Sequence, residues 1–347
     1  MAMERSTRFR VFLFLGLIVA PNVVLLGARV RSGPETHRIQ EEVPAERTNL
    51  KKLVDDCRKC HEDVHDEWSA TQHAKSWTDP VFQEAIKDAP DKGESCAPCH
   101  APRALFHTGL GELPLPRKLD RDLGVNCVTC HVEGNIYHGP FESTGHGGVE
   151  ANPDFRASKF CISCHGRPVE RAEHDQGSSY LAGPEAKGGK SCQECHMDPV
   201  ERKLVTKDTI KDKFLIGVQP CRKHNFKGAR RSEIVAGSAD LSIGVASDSI
   251  QVSVVPKTGH SLPATSHRDV RLVIRQLDAK GGTLDETLKT YAFPAGPVLN
   301  PGVPNLIPVP KKSGVVSVQV TLTQVLCAVP GRPEPIVQPI AELTKEL

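Results

Sequence analysis

The chain has 347 residues, a hydrophobic fraction of 38% and only 5% aromatics, which is length for two domains but thin material for one large core. Its 44 lysines and arginines against 42 aspartates and glutamates leave a formal +2, which excludes the broad basic field of a nucleic-acid binder. Twelve cysteines and fifteen histidines are the outliers, and their spacing decides among disulfides, zinc, redox dithiols and covalent cofactor attachment.

Arg5, Arg8 and Arg10 precede an uncharged apolar run over residues 11–28, interrupted by Pro21 and Asn22. An arginine-rich start before such a run is how exported chains begin. Residues 1–28 are therefore expected to be a signal peptide or a membrane anchor. The run is long for the first and short for the second, and Arg29 and Arg31 beyond it disfavour cleavage. Either role places residues 33–347 outside the cytoplasm: in the periplasm, on the outer face of the cytoplasmic membrane, or at the cell surface. Residues 29–50 are polar without a sustained period and read as a linker.

Residues 51–231 concentrate cysteine and histidine, with Gly and Pro breaking the pattern every ten residues or so. This predicts a mostly α and irregular domain of low secondary-structure content, with short helices over 54–68 and 79–87. Residues 232–347 turn to alternating stretches rich in Val, Ile and Leu at 241–246, 249–255, 270–277 and 315–326. These predict an all-β, sandwich-like domain. Asp-Ala-Lys-Gly-Gly at 278–282 supplies a hairpin turn. The proline-rich piece 294–310 is expected to be a crossing loop outside any sheet.

Five times the sequence gives Cys-x-x-Cys-His: Cys57, Cys60 and His61; Cys96, Cys99 and His100; Cys127, Cys130 and His131; Cys161, Cys164 and His165; Cys192, Cys195 and His196. Two thiols at this spacing add across the two vinyl groups of a haem, and the histidine after them binds the iron from the proximal side. A zinc half-site or a redox dithiol requires no histidine at that position. Two cysteines separated by two residues seldom form a structural disulfide, so five such pairs argue against that framework even in an exported protein. Five covalently bound haem c groups follow, and they supply the apolar core that the side chains lack.

Each iron takes a second axial ligand, whose identity sets potential and reactivity. Methionine is nearly excluded: Met1 and Met3 precede the apolar run, and Met197 directly follows His196. Ten histidines lie outside the motifs, twice what five bis-histidine haems need. His65, one helical turn beyond His61, reads as a surface residue, as do His37, His107 and His267. Cys221 and Cys327 are left over, and in an oxidising compartment they form either one disulfide or two free thiols.

The motifs, with Trp68, Ser69 and His73 after the first, resemble the multihaem cytochromes c related to the tetrahaem electron carrier of hydroxylamine oxidoreductase. Further elements carry the resemblance in order: Gly124-Val125 before Cys127, Gly139-Pro140-Phe141 with His146, Phe160-Cys161, Gln193 and Met197 around the fifth motif, His224-Asn225-Phe226-Lys227-Gly228, and Gly259-His260-Ser261-Leu262-Pro263. The resemblance implies that His73 serves the fourth haem and His174 the fifth, that His138 or His146 caps the first, and that His224 and His260 serve the remaining irons. Filled bis-histidine irons imply a wire of closely packed, low-potential haems that carries electrons and does no bond chemistry. Ten propionates would turn the formal +2 into an anionic surface suited to basic redox partner proteins, donor and acceptor. The alternative is a redox enzyme acting on a small nitrogen or sulfur compound at one five-coordinate haem, for which the second motif is the best candidate. A docking role for the β domain is compatible with either.

Overall fold

The computed structural model describes residues 49–166, 176–205, 217–266, 268–326 and 334–347. The expected signal peptide or anchor, almost all of the linker, and His37, His174, His267 and Cys327 lie outside them. All the described residues belong to one compact unit. Among them, no helix is long and apolar enough to cross a membrane.

The first half is built from short helices because the motif turns and the glycines stop each one early. α1 (Leu50–Arg58) and α2 (Glu62–Ser69) replace the single helix expected over 54–68, since the backbone leaves helical geometry at His61 (φ −110°, ψ 48°). α3 (Pro80–Lys87) forms where expected. Asp79 caps it by accepting from the Val81 and Phe82 amides at 3.0 and 3.3 Å, and Pro80 fits the first turn, where no amide donor is needed. Five more helical pieces follow: α4 (Ala97–His100), α5 (Cys127–His131), α6 (Lys159–His165), α7 (Gln176–Ala182) and α8 (Pro184–Lys187). α9 (Cys192–His196) completes the set.

Two small sheets that the sequence pattern did not indicate lie between the helices. β1 (Val132–Glu133), β2 (Ile136–Gly139) and β3 (Val149–Ala151) form one, and β4 (Pro199–Arg202) with β5 (Gln219–Arg222) the other. The apolar cluster of this half is small: Leu50, Val54, Trp68, Val128 and Val132 are its buried members.

After α10 (Ser232–Val235) the chain becomes all-β. One sheet has the order β10 (Asn305–Pro310), β7 (Ser249–Pro256), β6 (Ala239–Val245). The other has the order β12 (Ile336–Glu346), β11 (Ser317–Leu326), β8 (Arg268–Leu277), β9 (Thr283–Ala292). Inward residues of both sheets share one core: Ile250, Val252 and Val254 from β7, Leu272 and Ile274 from β8, and Val318, Val320 and Leu322 from β11. That is the arrangement of a sandwich. Asp278 Oδ1 accepts from the Lys280 and Gly282 amides in the β8–β9 turn, both at 2.8 Å.

Part of the expected crossing loop is a strand. Residues 305–310 pair antiparallel with β7, and Pro308 and Pro310 are tolerated because β10 is an edge. The two halves meet through specific bonds: Gln324 Nε2 donates to Ala229 O at 2.9 Å, and the Ser261 amide donates to Ser179 Oγ at 3.2 Å.

Candidate functional site: a cavity ringed by five motifs

Each motif folds as about one turn of helix. Positions i, i+3 and i+4 of a helix share a face, so both sulfurs and the imidazole turn to the same side. Local capping starts two of these turns: Asn126 accepts from the Val128 amide at 3.0 Å, and Ser191 with Glu194 forms a capping box before α9. All ten motif cysteines and all five motif histidines line one cavity of about 2450 Å³. That is well above the roughly 300–1,000 Å³ of a single small-molecule site.

Second contacts orient the motif rings. The Nδ1 atoms pair with backbone carbonyls: His61 with Leu204 O at 2.7 Å, His100 with Ser76 O at 2.7 Å, His131 with His138 O at 2.9 Å and His196 with Lys227 O at 2.5 Å. With Nδ1–H donating to a carbonyl, Nε2 is left as a lone pair for a metal.

Facing four of these rings stands a second imidazole. Ring centroids are 6.0 Å apart for His61 and His146, 6.0 Å for His165 and His73, 6.1 Å for His131 and His224, and 6.3 Å for His196 and His260. Burial pushes His73 down to about 4 and His224 down to about 3, and it lowers His260 as well, so these rings are neutral and able to ligate at neutral pH. A metal–imidazole bond is about 2.0–2.1 Å, so two imidazoles on opposite sides of one metal stand roughly 6 Å apart, ring to ring. The residues therefore fit haem held by two thioethers and two axial imidazoles. The ring stacked on His100 is Phe82, at 3.8 Å and 11°.

Thiols of different motifs also lie close enough to perturb one another: Cys57 and Cys127, Cys99 and Cys164, and Cys161 and Cys192. Attachment points one and three, two and four, and four and five are thus neighbours.

The structure separates residues that the sequence left together. His146, not His138, faces His61. The His138 ring lies buried between Phe106 at 4.4 Å and the Glu133 carboxylate at 3.3 Å. The ring facing the fifth motif's His196 is His260, whereas the resemblance assigned His174 to that haem. His65 is not a surface residue: its side chain is 14% exposed and its ring packs 5.3 Å from that of Trp68. Among the described residues, half-buried Cys221 pairs with no other cysteine.

Three further contributors complete the site, and of them only Phe226 belongs to an element singled out in the sequence. Tyr137 stacks on His146 at 4.4 Å, Phe226 meets His73 at 4.4 Å, and Glu67 grips Arg202 across 135 residues of chain.

Residues 56–132 match the family described as cytochrome c554 and c-prime. Among solved structures, the chain is similar to a penta-heme cytochrome c552 from Thermochromatium tepidum. The TM-score is 0.61 at 18% identity, covering 85% of this chain and 98% of that one. Two others, the structural-genomics target SoR45 and an ApaA protein from Bordetella pertussis, give TM-scores of 0.20 and 0.18 at 10% and 15% identity. They cover 31% of this chain each, and 86% and 94% of their own. No curated protein matches the sequence. The family match, which spans the first three motifs, and the shared multihaem fold support covalently bound haem c.

Proposed function

Starting from a multihaem c-type cytochrome fold with five attachment motifs around one cavity, we propose that the protein is an exported pentahaem electron carrier with mainly bis-histidine, low-potential irons. The observation that carries this is the set of four imidazole pairs at 6.0–6.3 Å. An iron filled on both sides exchanges electrons with neighbours and leaves no position for substrate. Neighbouring thiols place motifs one and three side by side, and motifs two, four and five in a second group, and all five motifs line the same cavity, so each haem has a near neighbour to exchange electrons with. His61, His100, His131, His165 and His196 hold the proximal sides, and His146, His224, His73 and His260 hold the distal sides of the first, third, fourth and fifth irons. The partners are redox proteins, basic where they dock against the propionate-bearing surface. The N-terminal segment exports the chain to the periplasm and, if it is retained, tethers it to the membrane.

The test is an anaerobic redox titration of the holo-protein, with EPR of the oxidised state. The expected result is five one-electron equivalents and low-spin signals from at least four irons. Fewer low-spin irons would defeat the bis-histidine assignment. A high-spin iron that turns over a small nitrogen or sulfur compound would make the protein a redox enzyme instead.

A further inference from the structure

Of the four imidazoles that face a motif histidine, His146 is held differently. His73, His224 and His260 are half-buried, whereas His146 is exposed. Its backbone lies at φ 60°, ψ 16°, the left-handed region that strains a residue other than glycine. Gly145, Gly147 and Gly148 flank it, and nothing stands within 4 Å of where a Cβ would sit on Gly147 or Gly148. That open space leaves the strained turn room to shift between its tied ends, where the Gly148 amide donates to Gly145 O at 2.9 Å and the Val149 amide to Ser143 O at 2.7 Å. Against that, the Tyr137 ring stacks on the imidazole at 4.4 Å and 19°.

We infer that His146 is a displaceable axial ligand, and that the first haem, at Cys57, Cys60 and His61, is a binding site for a small uncharged diatomic of the carbon monoxide or nitric oxide type. This rests on the axial role given to His146 above. Exchange breaks the bond from the His146 ring nitrogen to ferrous iron and forms one from the diatomic to the same iron. No electron moves in that step; the iron is made ferrous beforehand by the electron donor, which is dithionite in the experiment.

The test uses dithionite-reduced holo-protein mixed with carbon monoxide and followed by absorption. Apart from a phase linear in carbon monoxide at the second haem, whose His100 faces Phe82, the expected result is one further uptake phase whose rate saturates with carbon monoxide, because departure of His146 sets it. His146→Ala makes that phase fast and linear in carbon monoxide. Tyr137→Ala keeps the resting spectrum low-spin and raises the saturating rate roughly two- to tenfold, the worth of one stacked ring pair. If the wild type shows no saturating phase while His146→Ala takes up one equivalent more than the wild type, His146 is axial but fixed: the inference falls and the electron-carrier assignment stands. If His146→Ala leaves both spectrum and uptake unchanged, His146 is no ligand, and the axial assignment falls as well.

Discussion

The carboxylate of Glu67 joins three segments. It accepts from both Arg202 guanidinium nitrogens, at 2.8 and 2.9 Å, and from the His224 amide at 2.8 Å, so α2 holds β4 and the stretch that presents His224. The side chains of Arg202 and Glu67 are only 11% and 21% exposed, where a bidentate charged pair is strong. Burial raises this carboxyl, but Arg202 and the His224 amide outweigh burial and leave it below its ordinary 4.5. A carboxyl depressed in the folded state stabilises fully above its unfolded value, and that stabilisation is lost as pH falls through the folded value. Glu67→Gln is therefore expected to cost about 1.5–3 kcal/mol at pH 7, read from denaturant midpoints. The variant should also lose less stability than the wild type on acidification below pH 4.5. Parallel pH profiles would remove Glu67 from this role. At this scale the sequence names the residues well and their partners poorly. The Cys-x-x-Cys-His spacing identifies fifteen residues that line the cavity, and His73, His146, His224 and His260 stand out by their surrounding motifs. Which ring faces which depends on contacts between remote segments, and no local spacing encodes those.

Gly124 shows why a glycine precedes the third motif. Its φ is +53°, and a Cβ there would lie 2.4 Å from His73 O, 2.7 Å from Ala74 O and 2.7 Å from Ser76 Oγ. Two of those three atoms are backbone and cannot swing aside. The Val125 amide then donates to His73 O at 2.9 Å, so this turn is seated directly on the segment that carries His73. Gly124→Ala is expected to push that segment away from His165, destabilising the fold by about 1–3 kcal/mol and converting one low-spin haem to high spin. EPR of the oxidised variant checks it, and an unaltered spectrum would contradict it. Among the strands, legibility mostly follows position in the sheet, with the edge strand β6 the exception that its apolar alternation made readable. The central strands β7, β8 and β11 are read from their apolar alternation, because both neighbours and the core demand it. β9, β10 and β12, which the sequence pattern missed, are all edges. Edge strands carry the charges and prolines that guard against further pairing: β9 reads Thr-Leu-Asp-Glu-Thr-Leu-Lys-Thr-Tyr-Ala, and β10 contains two prolines. The helix expected over 54–68 was divided for another reason, since the first motif ends inside it.

Across the whole molecule, the sandwich and the motif-bearing half act as one body. His260 lies in the connection between β7 and β8, so the β half supplies the ring that faces His196, and the Ser261–Ser179 and Gln324–Ala229 bonds fix it there. Thermal unfolding is expected to be a single transition in which the haem absorption band and the far-ultraviolet β signal change together. Two separated midpoints would show that the halves melt independently. Each facing imidazole pair also spans more than sixty residues of chain. When both rings grip one iron that is itself bonded to the polypeptide, the pair closes a loop as a disulfide does, and closing loops this long removes roughly 4–5 kcal/mol of denatured-state freedom. On the proposed assignment, four such cross-links would stitch a half with five buried apolar side chains in its own cluster. The bonds proposed to carry electrons would then also hold the chain together, and loss of a distal imidazole would unpick topology along with colour.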